Sequence, residues 1–481
     1  MLRLYDTATL KVRPLELRDP NRVSFYACGL TVYDVPHIGH GRGWLVFDVL
    51  RRYLVFSGLA VHHVSNVTNV DDQIIKRAAA EGRTEPEVAA EFEAAWWRDS
   101  DALGVLRPDD TPRATDYVDK MIDLVSDLLA RDVAYRTSTG VYLDVSRVEG
   151  YGLLAHQPLE SLLAGARVEV DPEKRSPLDF ALWKRAKTGE PTWDAPFGAG
   201  RPGWHTECVV MSLDLLGEGF DLHGGGVDLI FPHHENERAQ AIAEHRAFAR
   251  HWIHHGWVMS GGAKMSKSLH NFVTVAEMIE RSDPRSYRLL VLRSQYRSQI
   301  EVTPTSVEDA EKGLGRLDAL ARRFELREDL ALGRSALTPS VVAGEGLVRE
   351  EVDRFCERMD DDLDTPGALA GIFDAVNRAN VMADRGEEEE AAALARTVVT
   401  LCGVLGLALR ADEGADLDEA VRRLVAERDA ARASGDYGRS DAIRSELAAL
   451  GWTLEDTAQG TRLLRQHTHG SRFTRPPVGP C

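Results

Sequence analysis

Two strand-like runs flank one helical pattern near the start of the chain, and this restricts the fold more than any other feature. "VSFYACG" (Val23–Gly29) and "AVHHVSNVTNV" (Ala60–Val70) are rich in β-branched and aromatic residues, and "GWLVFDVLRRYLVFSG" (Gly43–Gly58) reads as an amphipathic helix between them. Strands joined through a helix run parallel, because the crossover returns the chain to the same end of the sheet. The expectation is an α/β fold on a parallel sheet. Its strands end on one edge, and the turn after the first strand, "LTVYDVPHIGHGR" (Leu30–Arg42), lies there.

That turn holds His37, His40, Gly39 and Gly41. Backbone N–H groups at a helix start lack partners, and the helix dipole favours anions there. A turn between a parallel strand and a helix is therefore a natural phosphate site. Glycines let a ring or phosphate approach the backbone closely. The histidines can donate hydrogen bonds to phosphate oxygens that gain charge during reaction. Alone, an H-x-x-H is more often two surface histidines. A second element changes the balance: "KMSKSLHN" (Lys264–Asn271) follows the Gly-rich "SGGA" and offers Lys264 and Lys267. Two ammonium groups on a mobile loop suit a transient polyphosphate contact.

The rest of the chain bounds the setting. With 481 residues, it is long enough for about three domains at roughly 150 residues each. The segment around "PEKRSPLDFALWKRAKTGEPTWDAPFGAGRPG" reads as an insertion of mostly irregular chain. "FDLHGGGVDLIFPHHENERAQAIAEHRAF" then returns to strand, loop and helix, and from Glu308 the pattern is almost continuously helical. "WTLED" and "TRLLR" suggest a hairpin. The longest apolar run, Thr397–Leu409, falls short of the ~20 residues a bilayer needs, so it reads as a buried helix. Five scattered cysteines and no secretory pattern indicate reduced thiols in a cytoplasmic protein. A net charge of −18 argues against wholesale coating of nucleic acid. Two acid-free windows, His245–Ala276 and Thr457–Cys481, keep a polyanionic partner open.

"HIGH" at His37–His40 followed by "KMSKS" at Lys264–Ser268 resembles the signature of class I aminoacyl-tRNA synthetases. Candidate metal ligands narrow the resemblance. Cys28 ends the first strand, Cys208 lies in "RPGWHTEC", and His233 and Glu237 stand four apart in "FPHHENERAQ". Two thiolates, an imidazole and a carboxylate form a plausible zinc set, with His234 a competitor of His233. Together with "ACGLTVYDVPHIGHGR", "NVTNVDD", "GARVEV", "HGGGVDLIFPHHENERAQ" and "MDDDLDTPGAL", these stretches resemble the cysteinyl-tRNA synthetase family from Leu4 to about Arg465.

The resemblance implies a Rossmann-like parallel-sheet catalytic domain over 1–115 and 200–250, with a connective insertion over 116–199. It implies a stem-contact region with the KMSKS loop over 251–307, an α-helical bundle over 308–411 and a small mixed anticodon-binding domain over 412–465. Residues 466–481 read as a disordered tail. It further implies activation of L-cysteine by ATP, accompanied by Mg²⁺, and transfer to the 3′ end of tRNA(Cys) by a monomer that does not engage a membrane. One Zn²⁺ per chain, on Cys28, Cys208, His233 and Glu237, would recognise the substrate thiol. His37, His40, Lys264 and Lys267 fall on the catalytic positions. Thr31, His37, Gly39, His40, Gly225, Asp228 and Lys267 fall on the ATP site, and Gly29, Thr68 and Trp204 on the cysteine pocket. Asn69, Gln73 and His270 depart from the family's usual Asp, Lys and Gly. Two other readings stand beside this one. One is the paralogous ligase that joins cysteine to glucosaminyl-inositol in mycothiol synthesis, which lacks the C-terminal part. The other is a catalytically silent zinc- or RNA-binding protein.

Overall fold

The computed structural model describes residues 1–157, 172–260, 263–264, 272–326, 346–411, 419–450, 452–457 and 460–465. A short antiparallel pair, β1 (Arg3–Asp6) and β2 (Lys11–Pro14), precedes β3 (Arg22–Thr31), α1 (Ile38–Phe56) and β4 (Ala60–Thr68). Helices α2 (Asp72–Glu81), α3 (Glu85–Ala102) and α4 (Val118–Ala130) follow, then strands β5 (Ala134–Arg136), β6 (Gly140–Leu143), β7 (Phe180–Arg185) and β8 (Gly200–Pro202). The chain returns through α5 (Trp204–Leu216), β9 (Leu222–Gly226), a kinked turn Ile230–His234, α6 (Glu235–Ala243) and β10 (His251–His255).

The central sheet has the order β10-β9-β3-β4, with every pair parallel, as the opening strand–helix–strand pattern requires. Its two faces carry separate cores. Val23, Phe25 and Ala27 of β3 join Phe47, Leu50 and Leu54 of α1 in one core. Tyr26 points the other way, with Val209 and Leu213 of α5 and Ala239 of α6. The alternation is the period-2 consequence of an extended chain buried on both sides.

Helix α1 begins at Ile38, inside the histidine turn, rather than at Gly43 where the amphipathic pattern starts. The two imidazoles make the earlier start possible. His37 Nδ1 accepts from His40 N–H at 3.2 Å, and His40 Nδ1 accepts from His37 N–H at 3.3 Å. This reciprocal arrangement is a capping box built from histidines. The segment read as irregular also differs, because it supplies β7 and β8, which complete a four-stranded antiparallel sheet with β5 and β6. Trp183 is buried there, its Nε1–H donating to Gly198 O at 3.1 Å. A Cβ at Gly200 would lie 2.2 Å from Lys184 O. Residues that break regular structure in a sequence reading here permit backbone to pack on backbone.

Beyond the central sheet, β11 (Val258–Ser260) pairs with β12 (Ala263–Lys264) and with β13 (Ile300–Glu301). Helices α7 (Val275–Arg281) and α8 (Pro284–Leu292) lie between β12 and β13 in the chain, and α8 packs on α1. The helical part comprises α9 (Pro304–Arg323), α10 (Arg349–Asp360), α11 (Thr365–Asp384) and α12 (Glu388–Val404). Leu401, Cys402 and Val404 are buried, as read for that apolar run. Then come α13 (Glu419–Ala433), α14 (Tyr437–Ala449) and the hairpin β14 (Trp452–Thr457) with β15 (Gly460–Arg465). The tail read as disordered lies outside the described residues. Among the described residues, no helix is long and apolar enough to cross a membrane.

A buried ion network joins these parts. Asp48 of α1 accepts from Arg52 Nε at 2.8 Å, Leu106 N at 2.9 Å and Arg288 Nη1 at 2.6 Å. Burial opposes its charge, but Arg288 and Arg52 outweigh burial and hold the carboxyl below its ordinary value. Arg288 in turn donates to Leu103 O, Gly104 O and Leu405 O. Removing one partner of such a pair strands a buried charge. Asp48→Ala is therefore expected to cost about 3–5 kcal/mol of folding stability, measured by denaturant unfolding. A loss below about 1 kcal/mol, the scale of exposed ion pairs, would show the network to be dispensable.

Candidate active site and metal centre

β3 and β4 pair in register down to Ala27 and Ser65, then shift, and resume at Leu30 and Val67. One extra residue on β3 is accommodated at Cys28–Gly29. Such a bulge bends a strand and re-aims a side chain. Gly29 N–H donates to Asn66 Oδ1 at 2.9 Å. A Cβ at Gly29 would stand 1.6 Å from Asn66 O, so no other residue fits this approach.

Cys28 meets three residues delivered from elsewhere. Its Sγ lies 3.8 Å from Cys208 Sγ and 3.5 Å from Glu237 Oε1. Cys208 Sγ lies 3.6 Å from His233 Nε2, which is 2.9 Å from Glu237 Oε1. One ligand atom from each of Cys28, Cys208, His233 and Glu237 lies within 4.8 Å of all the others. A second group meets the same distance with His223 and His234 in place of Cys208 and His233. The two differ in chemistry. The first offers two thiols and the second one, and soft thiolates favour zinc. In the second group His234 Nε2 lies 3.2 Å from Cys28 Sγ and His223 Nε2 lies 2.6 Å from Glu237 Oε2, while His234 Nδ1 is 2.7 Å from His254 Nε2.

The electrostatics follow from burying these groups together. Burial would raise the Glu237 carboxyl, yet His223 and His233 hold it well below the usual carboxylate range. Burial disfavours the His233 imidazolium, but Glu237 and the Cys208 thiol push it up to about 10. Burial sends the Cys28 thiol upward, reinforced by Cys208 and Glu237. Cys208 moves down in spite of burial, through its contacts with Cys28 and His233. The site thus places a carboxylate and a thiol of lowered pKa around one imidazole.

Further residues line this group. Trp204 stacks on His233, with ring centroids 4.1 Å apart and an 18° interplanar angle, and is 36% exposed. Thr68 Oγ1 donates to Glu207 Oε2 at 2.6 Å and accepts from Asn66 Nδ2 at 3.2 Å. His205 Nδ1 is 3.0 Å from His233 Nδ1. That contact occupies Nδ1 of His233 and turns its Nε2 toward Cys208 and Glu237. Asn66, His205, Glu207 and His223 in this role were missed in the sequence. Two signals were available: Asn66 and Thr68 share a strand face, and His205 stands one helical turn before Cys208.

The histidine turn lies at the same edge of the sheet. Both Nδ1 atoms accept from backbone, so each ring carries its proton on Nε2. The rings stack at 3.6 Å, and Phe272 meets His37 edge-on at 5.2 Å. Burial, with His37 and His255 nearby, pushes His40 well below its ordinary value. His40 is therefore a neutral donor near pH 7. Gly41 faces the core instead of a ligand, since a Cβ there would meet Leu103, Val275 and Tyr287 at 3.3 Å. Gly39 is partly exposed. Thr31 pairs with Thr68 at the ends of β3 and β4, Gly225 lies at the end of β9, and Asp228 is exposed just beyond. Lys264 pairs with Met259 in β12, while Lys267 and His270 lie outside the described residues. Asn69 is held by Thr115, donating from Nδ2 at 2.8 Å and accepting the Thr115 N–H at 3.0 Å.

Comparison with known proteins fits this geometry. The family described as tRNA synthetases class I (C) catalytic domain matches residues 14–312. A DALR domain matches 354–410, and the cysteinyl-tRNA ligase anticodon binding domain matches 414–462. The cysteine–tRNA ligase of Solidesulfovibrio magneticus is 44% identical, over 95% of this chain and 99% of its own. That of Thermotoga maritima is 41% identical, over 96% and 99%. The chain belongs to the cysteine–tRNA ligase family. Among solved structures, Mycobacterium tuberculosis methionyl-tRNA synthetase in complex with methionyl-adenylate shares the class I fold. Its TM-score is 0.58 at 17% identity, covering 81% of this chain and 90% of that one.

For this cysteine–tRNA ligase family member, the tightest constraint in the site is the bulge. Gly29→Ala is expected to destabilise the protein by about 3 kcal/mol or more, because the methyl group meets backbone that cannot yield. Equal denaturation midpoints for variant and parent would refute the close approach.

Proposed function

We propose that this chain activates L-cysteine with ATP and transfers it to the 3′ end of tRNA(Cys), with zinc held by Cys28, Cys208, His233 and Glu237. The observation that carries the reading is the thiol-bearing donor group at the same sheet edge as the histidine-capped start of α1. Similarity to cysteine–tRNA ligases over nearly the whole chain supports it.

The donor chemistry fits zinc: two sulfurs, one imidazole nitrogen and one carboxylate oxygen. When bound, zinc offers the substrate sulfur a soft partner that favours its thiolate form. The chain's own residues do the rest. Trp204 and Thr68 wall the pocket. A serine hydroxyl makes a poorer soft ligand, and a strong polar contact of this kind discriminates without editing. The cysteine carboxylate attacks the α-phosphorus of ATP, the bond to the β-phosphate breaks, and pyrophosphate leaves. Charge grows on the phosphate oxygens in that step. The positive end of the α1 dipole and the Nε2–H groups of His37 and His40 then bind more strongly than in the ground state. Thr31, Gly39, Gly225 and Asp228 surround the nucleotide in this reading. Lys264 and Lys267 would neutralise the departing pyrophosphate, and Mg²⁺, when bound, would supply further positive charge there. The terminal ribose hydroxyl of tRNA then attacks the carbonyl carbon, and AMP leaves.

Residues Val421–Cys481 hold ten Arg against seven Asp and Glu, in a chain of net charge −18. That excess suits phosphate contacts, and the matched anticodon-binding segment supports tRNA as acceptor.

Measurements of exchange, charging and metal content test the reading. The wild-type chain should catalyse cysteine-dependent ATP–pyrophosphate exchange and charge tRNA(Cys). His40→Ala should slow exchange about a hundredfold with a smaller change in cysteine affinity; an unchanged rate removes the turn from catalysis. Metal analysis should find one zinc per chain, lost in Cys208→Ser and retained in His234→Ala. The reverse pattern selects the second donor group. Truncation after Ala411 should spare exchange and abolish most charging. Ligation of cysteine to glucosaminyl-inositol, with no tRNA charged, would overturn the acceptor assignment.

A further inference from the structure

One arginine of α1 bonds only to backbone carbonyls. Arg42 is fully buried, and its guanidinium donates to Trp257 O at 2.7 Å, Tyr296 O at 2.9 Å and Ser298 O. Burial lowers it to about 10, which still leaves it charged at neutral pH. The carbonyls it holds have a definite place in the chain. Trp257 leads directly into β11, which pairs with β12 and so with Lys264. Trp257 O also accepts from Ile300 N at 3.0 Å, the start of β13. Five residues before Arg42 stands His37. Beyond the lysine loop, the chain returns to the same turn: Ile38 N–H donates to Val273 O at 3.1 Å and Val275 N–H to Pro36 O at 3.0 Å.

The Gln295–Ser298 turn that Arg42 grips is held from its other side by the helical bundle. Asp362, between α10 and α11, is buried and accepts from Tyr296 Oη at 2.8 Å, Arg297 Nε at 2.8 Å and Tyr5 N at 2.7 Å. Its carbonyl accepts from Gln295 Nε2 at 2.8 Å. Asp362 and Leu363 both have left-handed backbone, with φ of 58° and 52°. Such conformations in successive non-glycine residues persist only where surroundings over-determine them. Here they aim one carboxylate at the turn.

We propose that Arg42 and Asp362 act as one positioning unit for adenylate formation. Arg42 registers the histidine turn against the strand leading to Lys264, and Asp362 fixes the Gln295–Ser298 turn that Arg42 holds. Neither touches substrate. The inference rests on the functional reading above. The unit matters because the phosphate groups are approached by segments far apart in sequence, whose relative placement no local propensity sets. A misplacement of about 1 Å at such a site can cost about a hundredfold in rate.

The test is a double-mutant cycle on the full-length, zinc-loaded protein, read by pyrophosphate exchange, zinc content and thermal melting. Arg42→Lys keeps charge but loses the planar fork. Asp362→Asn keeps shape but loses charge. Each is expected to lower kcat by ~10–100-fold, with KM for cysteine and zinc content unchanged. The double variant should be no slower than the slower single variant, because the two act as a unit. Multiplied losses in the double variant, or an unchanged kcat in Arg42→Lys, overturn the proposal. So does a KM for cysteine that rises as kcat falls, the mark of a generally loosened site. If Asp362→Asn does not fold, Tyr296→Phe takes its place in the cycle with the same criteria. A wild-type chain without cysteine-dependent exchange overturns the functional reading itself, and this inference with it.

Discussion

Glu237 carries two imidazoles on one buried carboxylate, and the arrangement of the site depends on that contact. His223 reaches one oxygen at 2.6 Å and His233 the other at 2.9 Å. A carboxylate without such partners would not remain charged in a fully buried position. With them, the charge is held, and it organises what surrounds it. His233 is pinned between Glu237, Cys208 and His205, and Trp204 lies flat on its ring. Cys28 is brought to the same carboxylate by a bulge at the end of its strand. Strand β9, helix α6, helix α5 and strand β3 thereby converge on one small volume at the ends of the parallel strands.

A second buried system sets the larger geometry. Asp48 and Arg288 join α1 to α8, and Arg285 meets Asp283 and Asp318, which ties α8 to α9. Arg42 and Asp362 extend the same principle to the turn between α8 and β13. Buried ion pairs are poor sources of net stability, because desolvation consumes most of the attraction. They are intolerant of wrong geometry, however, and here they lie between segments far apart in the sequence. The histidine turn follows a strand of the central sheet, the lysine-bearing strand belongs to the separate β12-β11-β13 sheet, and the bundle to neither.

The two histidines of the opening turn illustrate how one residue type serves structure and chemistry together. Each Nδ1 caps the start of α1, which extends the helix to Ile38. The same bonds fix the tautomer, leaving Nε2–H as the donor of each ring. Burial keeps His40 neutral. One ring nitrogen of each side chain caps the helix and the other is left to donate.

Much of this was legible in the sequence. The β-branched runs around one amphipathic helix dictated parallel pairing, because the 2.0 and 3.6 periodicities are local properties of the chain. The motif residues Cys28, His37, His40, Cys208, His233 and Glu237 could be named from their stretches. The helix start at Ile38 could not, because a histidine cap leaves no apolar periodicity. The β7–β8 part of the second sheet could not, because Gly200 and Trp183 act through a backbone approach that pattern does not record. Nor could the separate partners of His233 and His234, adjacent residues whose rings diverge. The sequence by itself determined which elements form and which side chains are chemically able. Only the tertiary structure decided which of those side chains meet, because contacts between residues 28, 208 and 237 depend on how distant segments pack and not on the local preferences of any one of them.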